Sequence, residues 1–229
     1  METRRNKIFS VAAILVAAAL VVAVIVIFAS GASTSGSVVA QAASLSNQKI
    51  TVQDFQNAMR RLWEDHVIYT RLFIISDVEN LADKSATADR LLQNQVDIGT
   101  AIKPFYGEQA GDQLTALLKQ HILLAVAVLD AAKAGDQPAL QKASSDWYAN
   151  ANDIAAFLSN ANPKNWPLAT MQSMMKRHLD LTLQEAVDRL KGNYAADIQD
   201  FDAVETHILG MADLLSGGIV DQFPSNFIK

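Results

Sequence analysis

Residues 54–73 read DFQNAMRRLWEDHVIYTRLF, and this stretch decides the fold. Bulky apolar side chains and one histidine recur in it at alternating spacings of four and three residues, which places them on one face of an α-helix. The members of this stripe are Phe55, Met59, Leu62, His66, Tyr69 and Phe73. The pattern predicts a core-facing helix from Thr51 to about Asn80, with Thr51 as its N-cap.

The rest of the chain continues this helical pattern, and no stretch shows the alternation typical of a β-strand. We predict five further helices over residues 87–105, 108–134, 138–160, 167–191 and 193–215. Glycine and proline lie in the breaks, and Gly217-Gly218 is expected to end the last helix. Short connections make successive helices antiparallel, so the predicted fold is all-α, an up-and-down antiparallel bundle of about six helices. The pattern leaves open whether all six form one bundle or four form a core with an added hairpin.

An uncharged apolar stretch, residues 8–30, is long enough to cross a bilayer as one helix. Arg4, Arg5 and Lys7 precede it, and the next charged residue is Lys49. Positively charged flanks of a membrane helix stay on the cytoplasmic side. We therefore predict a single-pass protein of the cell membrane, with its N-terminus in the cytoplasm and the rest of the chain outside.

This prediction divides the chain into three segments. Residues 1–30 form a cytoplasmic stub and a transmembrane helix, and residues 31–49, rich in small and polar side chains, form a flexible linker. Residues 50–229 form the extracytoplasmic helical domain. The alternative is a signal peptide cleaved near Ala42, and the domain would then be secreted.

Composition narrows the function. The net charge is -5, and Lys and Arg form no cluster beyond the first seven residues, which argues against a nucleic-acid partner. The sequence contains no cysteine, so a metal site would need His, carboxylate, Met or amide ligands. It has neither a nucleophile motif nor a phosphate-binding glycine loop, and we expect a non-enzymatic role.

Four histidines, one on each of four predicted helices, indicate an internal repeat. Three of them are separated by 55 and 57 residues: His66, His121 and His178. The motif Asn-x-x-Asp-Ile recurs at residues 94–98 and 150–154, at an interval of 56 residues. We interpret these intervals as a weak repeat of a helical hairpin. The sixth helix departs from the repeat, although its His207-Ile-Leu echoes the His121-Ile-Leu of the third helix.

These side chains predict a polar layer halfway along the bundle. Its candidate metal ligands are His66, His121, His178, His207, Asp97 and Asp153. Buried imidazoles and carboxylates need hydrogen-bond partners or a cation, and one shared ligand would satisfy several of them. The layer is therefore a candidate site for a small ligand or a transition metal ion, with copper, iron, zinc or nickel as the metals that imidazole suits.

Two alternatives remain open. In the first, the same groups satisfy one another, with histidine donating to aspartate or to Thr70 and Thr182, each one turn beyond a histidine. The domain is then a structural or interaction scaffold of the cell envelope, and its protein partner binds elsewhere. In the second, the layer belongs to a di-metal enzyme, although the sequence lacks the Glu-x-x-His motif of such bundles.

Five motifs are distinctive: LWEDH at 62–66, RLLQNQVDIG at 90–99, PFYG at 104–107, HIL at 121–123 and QFP at 222–224. Together they resemble a family of uncharacterised, exported or membrane-anchored all-helical proteins, and the resemblance spans nearly the whole domain. Members of that family are sometimes labelled glycosyltransferases. The resemblance implies an exported helical domain and no particular activity, because the sequence lacks the α/β alternation of a nucleotide-sugar fold.

Overall fold

The computed structural model describes residues 49–228. In this range the six α-helices are α1 (Val52–Val78), α2 (Lys84–Tyr106), α3 (Glu108–Ala134), α4 (Gln137–Ala161), α5 (Leu168–Leu190) and α6 (Tyr194–Gln222). A 3₁₀ turn, Pro224–Asn226, follows α6. The all-α fold predicted from the sequence is confirmed. The predicted transmembrane helix and residues 31–48 of the predicted linker lie outside the described residues.

The six helices form one closed ring. Each helix packs against the next one along the chain, α6 packs against α1, and α1 also contacts α5. Ion pairs between α1 and α6 show that these two helices run antiparallel, since Arg60 pairs with Asp213 and Arg71 pairs with Asp197. Within the described residues the helices therefore form a single bundle of six, rather than a four-helix core with an added hairpin.

Three equivalent hairpins, α1 with α2, α3 with α4 and α5 with α6, build the core in layers. Each layer takes one buried apolar residue from each hairpin, at intervals of 55 to 57 residues. The layers from the first helices are Met59, Leu114 and Met171; Trp63, Leu118 and Met175; and Val67, Ile122 and Leu179. The layers from the second helices are Leu91, Trp147 and Val204; Ile98, Ile154 and Met211; and Ile102, Leu158 and Leu215. The repeat therefore includes the sixth helix, and the prediction that this helix departs from it is wrong.

Helix α6 extends beyond its predicted end. It continues through Gly217-Gly218 to Gln222. The buried indole of Trp166 lies against the backbone at Gly218, where an added Cβ would come within 2.8 Å of the ring carbon Cε2. Glycine at position 218 therefore allows close packing inside the helix and does not end it.

Two short strands join the ends of the domain. β1 (Ile50–Thr51) and β2 (Phe227–Ile228) pair in parallel, although the sequence predicted no strand. The ring centroid of Phe227 lies 5.1 Å from that of Phe55 and 5.6 Å from that of Phe105. These three rings close one end of the bundle, which we call the aromatic end. Strands of two residues are too short to carry an alternating pattern.

Among the described residues, α3 is the one helix long and apolar enough to cross a membrane. Its most apolar window has a mean hydropathy of 1.6. The helix lies in the ring and contributes Leu114, Leu118 and Ile122 to the core layers. Core packing therefore accounts for part of its apolar character, since 39% of that window is buried.

Helices α2 and α3 approach each other closely at Gly99 and Gly111. A Cβ on Gly99 would lie 2.5 Å from the carbonyl oxygen of Gly111. We predict that Gly99→Ala lowers the free energy of unfolding by about 1 to 3 kcal/mol, because the two helices must move apart. Urea denaturation followed by circular dichroism measures this change.

The matched control is Gly210→Ala on α6. Position 210 is also helical, but nothing lies within 4 Å of the added Cβ. This substitution should raise the free energy of unfolding by up to about 1 kcal/mol, because alanine has the higher helix propensity. Equal effects of the two substitutions would contradict the close approach of α2 and α3.

Candidate functional site

Three histidines, one from each hairpin, meet at the centre of the bundle. His66 on α1, His121 on α3 and His178 on α5 occupy equivalent positions, and each is at most 5% exposed. The ring centroids of His66 and His178 lie 5.6 Å apart, and those of His121 and His178 lie 6.2 Å apart. We call these three side chains the imidazole cluster.

Side-chain amides contact two of the imidazoles, and one of these contacts sets a tautomer. His121 Nδ1 lies 2.8 Å from Asn150 Oδ1, while Asn150 Nδ2 donates to the carbonyl of Leu117. The amide oxygen therefore faces the ring, so Nδ1 of His121 carries the proton and Nε2 is left as an acceptor. On His66, Nδ1 lies 3.3 Å from Nε2 of Gln95, whose two hydrogens also face the closer carbonyl of Leu91 at 2.8 Å and Oδ1 of Asn94 at 3.1 Å. The contact with Gln95 therefore positions the His66 ring without fixing its tautomer.

One side chain from the second helix of each hairpin donates a hydrogen bond to a carbonyl of the first helix. The three bonds are Asn94 Nδ2 to Leu62 O at 2.9 Å, Asn150 Nδ2 to Leu117 O at 3.3 Å, and His207 Nε2 to Met174 O at 3.0 Å. Each acceptor lies one turn before the cluster histidine of its hairpin. His207 therefore takes the place of an asparagine and lies outside the imidazole cluster, so its apparent correspondence to His121 in the sequence is wrong.

The two aspartates of the Asn-x-x-Asp-Ile motif also lie outside the cluster. The side chain of Asp97 is 37% exposed on α2, and it accepts a hydrogen bond from Gln93 Nε2 at 2.9 Å. Asp153 is exposed on α4. The buried face of α2 runs through Asn94 and Gln95, and this orientation turns Asp97 toward solvent. The structure therefore brings three of the six predicted ligands together, all of them histidines.

The threonines one turn beyond the histidines do not contact the imidazole nitrogens. Thr70 Oγ1 donates to the backbone carbonyl of His66 at 2.7 Å, and Thr182 Oγ1 donates to that of His178 at 3.0 Å. A threonine in a helix commonly bonds the carbonyl four residues earlier in this way. These hydroxyls therefore do not satisfy the rings, contrary to the structural interpretation of the sequence.

Gln95 is the site residue that the sequence reasoning missed. It is completely buried, and its amide contacts both His66 and Asn94. The equivalent residues of the other two hairpins are the buried and apolar Ala151 and Ile208. An alignment of the three hairpins would have shown a polar side chain at a core position.

Burial lowers the pKa of all three cluster imidazoles. It lowers the pKa of His66 to about 3 and that of His121 to about 4, from the usual 6.5. The pKa of His178 lies well below its usual value, because the ring is buried and the other histidines disfavour a further charge. The rings are therefore neutral at neutral pH, and a free ring nitrogen can accept a hydrogen bond or bind a metal.

Among residues 49–228, five buried polar atoms around the cluster have no hydrogen-bond partner. They are Trp63 Nε1, Gln95 Oε1, His121 Nε2, Trp147 Nε1 and His178 Nδ1. The ring of Trp63 lies 5.9 Å from that of His66, and the ring of Trp147 lies 5.4 Å from that of His121. An unpaired buried group costs about 1 to 3 kcal/mol of stability. A guest that both donates and accepts hydrogen bonds would remove part of this cost.

Metal binding would require some rearrangement of the cluster. Within residues 49–228, no group of three or more His, Asp or Glu side chains is placed to hold a metal ion. His121 and His178 each have one nitrogen without a partner, and Nδ1 of His66 lies 3.3 Å from Gln95 Nε2. A metal held by all three imidazoles therefore requires their rings to move from these positions.

Comparison with known proteins adds no identification. No family model, curated protein or solved structure matches the chain. The resemblance of its motifs to exported helical proteins stays a prediction.

Two groups of buried charges lie toward the other end of the bundle, away from the aromatic end. Arg71 Nη1 lies 2.7 Å from a carboxylate oxygen of Glu185 and 2.7 Å from one of Asp197. The buried Asp77 forms ion pairs with two lysines of neighbouring segments. Burial raises the pKa of Glu185 to about 7, although the adjacent guanidinium opposes the shift. These pairs link helix ends and stand apart from the imidazole cluster.

The amide of Asn94 should be needed for stability. We predict that Asn94→Ala lowers the free energy of unfolding by about 1 to 3 kcal/mol, because the carbonyl of Leu62 loses its side-chain donor inside the core. Asp97→Ala, three residues away on the exposed side of α2, is the matched control and should change it by at most about 0.5 kcal/mol. Urea denaturation measures both changes. A loss at Asp97 as large as that at Asn94 would contradict this placement of the two side chains.

Three imidazoles with lowered pKa values make folding sensitive to acid. Between pH 6.5 and about 4 the unfolded chain binds protons that the folded chain does not, so the free energy of unfolding falls as the pH falls. Each such histidine adds up to about 1.4 kcal/mol per pH unit. Glu185 acts in the opposite direction between about pH 7 and 4.5, because its pKa is raised in the folded state.

We predict that His121→Gln makes the slope of the free energy of unfolding against pH shallower, because unfolding of the variant takes up about one proton fewer. Glu185→Gln should make it steeper, because it removes the group that opposes the histidines. Urea denaturation at a series of pH values from 4 to 7.5 gives the three slopes. A slope that is the same in His121→Gln as in the parent would mean that His121 titrates in the folded protein.

Proposed function

We propose that this chain is a membrane-tethered, extracytoplasmic, non-enzymatic binding protein that holds a small ligand at the imidazole cluster. The uncharged residues 8–30 and the basic residues before them support the tether and the compartment. The low pKa values of His66 and His121 support binding rather than catalysis. A histidine that transfers protons in catalysis needs a pKa near the working pH.

The set of unpaired polar atoms around the cluster carries this proposal. Trp63 and Trp147 offer N–H donors, while Gln95 and His121 offer acceptors. These side chains are packed around neutral rings, so a charged guest would gain little compensation for its lost hydration. A small uncharged molecule with both a donor and an acceptor is the ligand that fits this set best.

A transition metal ion is the second ligand class. His121 Nε2 and His178 Nδ1 are unpaired nitrogens on neutral rings, which is the form of histidine that binds metals. The other nitrogen of His121 is held by Asn150, as the second nitrogen of a ligating histidine usually is. Copper, iron, zinc and nickel are the metals to test.

Mass spectrometry of the untagged full-length protein tests both classes. We expect close to one equivalent of ligand, found either as a metal by elemental analysis or as an organic molecule by native mass spectrometry. The double variant His121→Gln, His178→Gln should lose this ligand while keeping its helical circular dichroism spectrum. His207→Gln is the matched control, because it removes a histidine outside the cluster, and it should keep the ligand.

The mass spectra distinguish a metal site, a site for an organic ligand and the absence of a ligand. A metal that is absent only from the double variant supports a metal site, and a co-purified organic molecule absent only from that variant supports an organic ligand. A parent protein that carries neither, and that takes up none of the four metals on incubation, would contradict the binding role.

A scaffold of the cell envelope is the second candidate function. The three equivalent hydrogen bonds from Asn94, Asn150 and His207 favour it, because they fix the register of each hairpin without any ligand. In that case the polar layer is structural and the partner protein binds at the outer surface. Crosslinking in cells distinguishes the two functions: a scaffold keeps the same crosslinked partner when His121 and His178 are both replaced by glutamine.

A further inference from the structure

A cavity of about 50 Å³ lies next to the imidazole cluster, on the side away from the aromatic end. It is partly enclosed, and residues from α1, α2, α3, α4 and α5 line it. The lining residues that decide its shape are Thr70, Ile74, Ala125, Leu129, Thr182 and Ala186. None of the three cluster histidines lines this cavity.

The three-hairpin repeat explains why the cavity is there. One turn beyond the cluster histidines the equivalent residues are Thr70, Ala125 and Thr182. Two turns beyond they are Ile74, Leu129 and Ala186. In each set, one hairpin carries alanine where the others carry a branched side chain. Protein interiors are otherwise filled to high density, so these missing side-chain atoms leave a void.

The lining of the cavity is almost wholly apolar. The hydroxyls of Thr70 and Thr182 are already bonded to backbone carbonyls. Trp147 also lines the cavity; its side chain is buried and its Nε1 has no partner. A guest therefore meets an apolar surface with one N–H donor nearby. Apolar cavities of this kind stay dry and bind apolar guests.

We propose that this cavity binds an uncharged alkyl group, either of a small free molecule or at the end of an acyl chain. An engineered apolar cavity of about 150 Å³ accommodates benzene, so this cavity, of about a third of that volume, suits the terminal one or two carbons of an alkyl group whose remainder lies outside it. The unpaired Nε1 of Trp147 favours a guest whose alkyl group carries a hydrogen-bond acceptor. The proposal rests on the cavity and not on the free imidazole nitrogens, and it shares only the Nε1 of Trp147 with the proposed function.

Methyl NMR of the full-length protein in lipid nanodiscs tests this proposal with two probes. Isobutanol represents a small free molecule, and octanoate represents the end of an acyl chain. We expect saturable shifts of the Ile74 and Leu129 methyl signals with at least one probe. Saturation by isobutanol alone identifies a small free guest, and saturation by octanoate alone identifies a chain end.

Two filling variants copy the residues that the other hairpins carry. Ala186→Leu matches Leu129, and Ala125→Thr matches Thr70 and Thr182. Each should weaken binding of the probe at least tenfold without lowering the melting temperature. Ala127→Leu, an exposed alanine on α3, is the matched control and should bind as the parent does.

Two filling variants are used so that probe binding can be measured in one of them if the other does not fold. The absence of saturable shifts with both probes in the parent would overturn the proposal. Undiminished binding in a folded filling variant would also overturn it. His121→Gln should leave alkyl binding unchanged. A failure of ligand binding at the imidazole cluster is therefore distinguished from a failure of alkyl binding in the cavity.

Discussion

Three imidazoles buried in an apolar core constrain the whole bundle, because each needs hydrogen-bond partners away from bulk water. Two of the three rings contact an amide on the second helix of the same hairpin, His121 that of Asn150 and His66 that of Gln95. Asn150 and Asn94 also donate to backbone carbonyls of the facing helix, so sliding one helix by a turn would leave several buried groups unpaired. The apolar layers above and below tolerate exchanges of similar volume, whereas the polar layer requires one register.

The features that point to binding fall where the three hairpins differ. A strict threefold repeat would satisfy equivalent polar groups in equivalent ways. Gln95 lies where the other hairpins carry Ala151 and Ile208, and its Oε1 has no partner. Ala186 lies where the other two carry branched side chains, and the space they would fill is part of the cavity. The repeat therefore supplies the stable frame, and its exceptions supply unpaired atoms and empty volume.

The helices could be predicted from the sequence because every turn places an apolar residue in a core layer, and α3 begins and ends at the predicted residues. The end of α6 could not, because two glycines resemble a local stop while Trp166, distant in the chain, packs against Gly218. The inward position of the three clustered histidines followed from the same apolar stripe. The exposed position of Asp97 and the role of Gln95 did not, because a shared motif does not give the angle of each residue around its helix.

The two ends of the bundle are closed differently, and this difference bears on where the proposed ligand would enter. At the aromatic end, three phenylalanine rings and the paired strands hold the start and end of the domain together. The other end contains a smaller apolar cluster around the cavity and buried ion pairs. Segments with fewer apolar contacts open at lower free energy, so we expect this end to open before the aromatic end. The chain enters the domain at Ile50, at the aromatic end. In a domain tethered through that residue, the path to the cavity and the imidazole cluster begins at the end away from the tether.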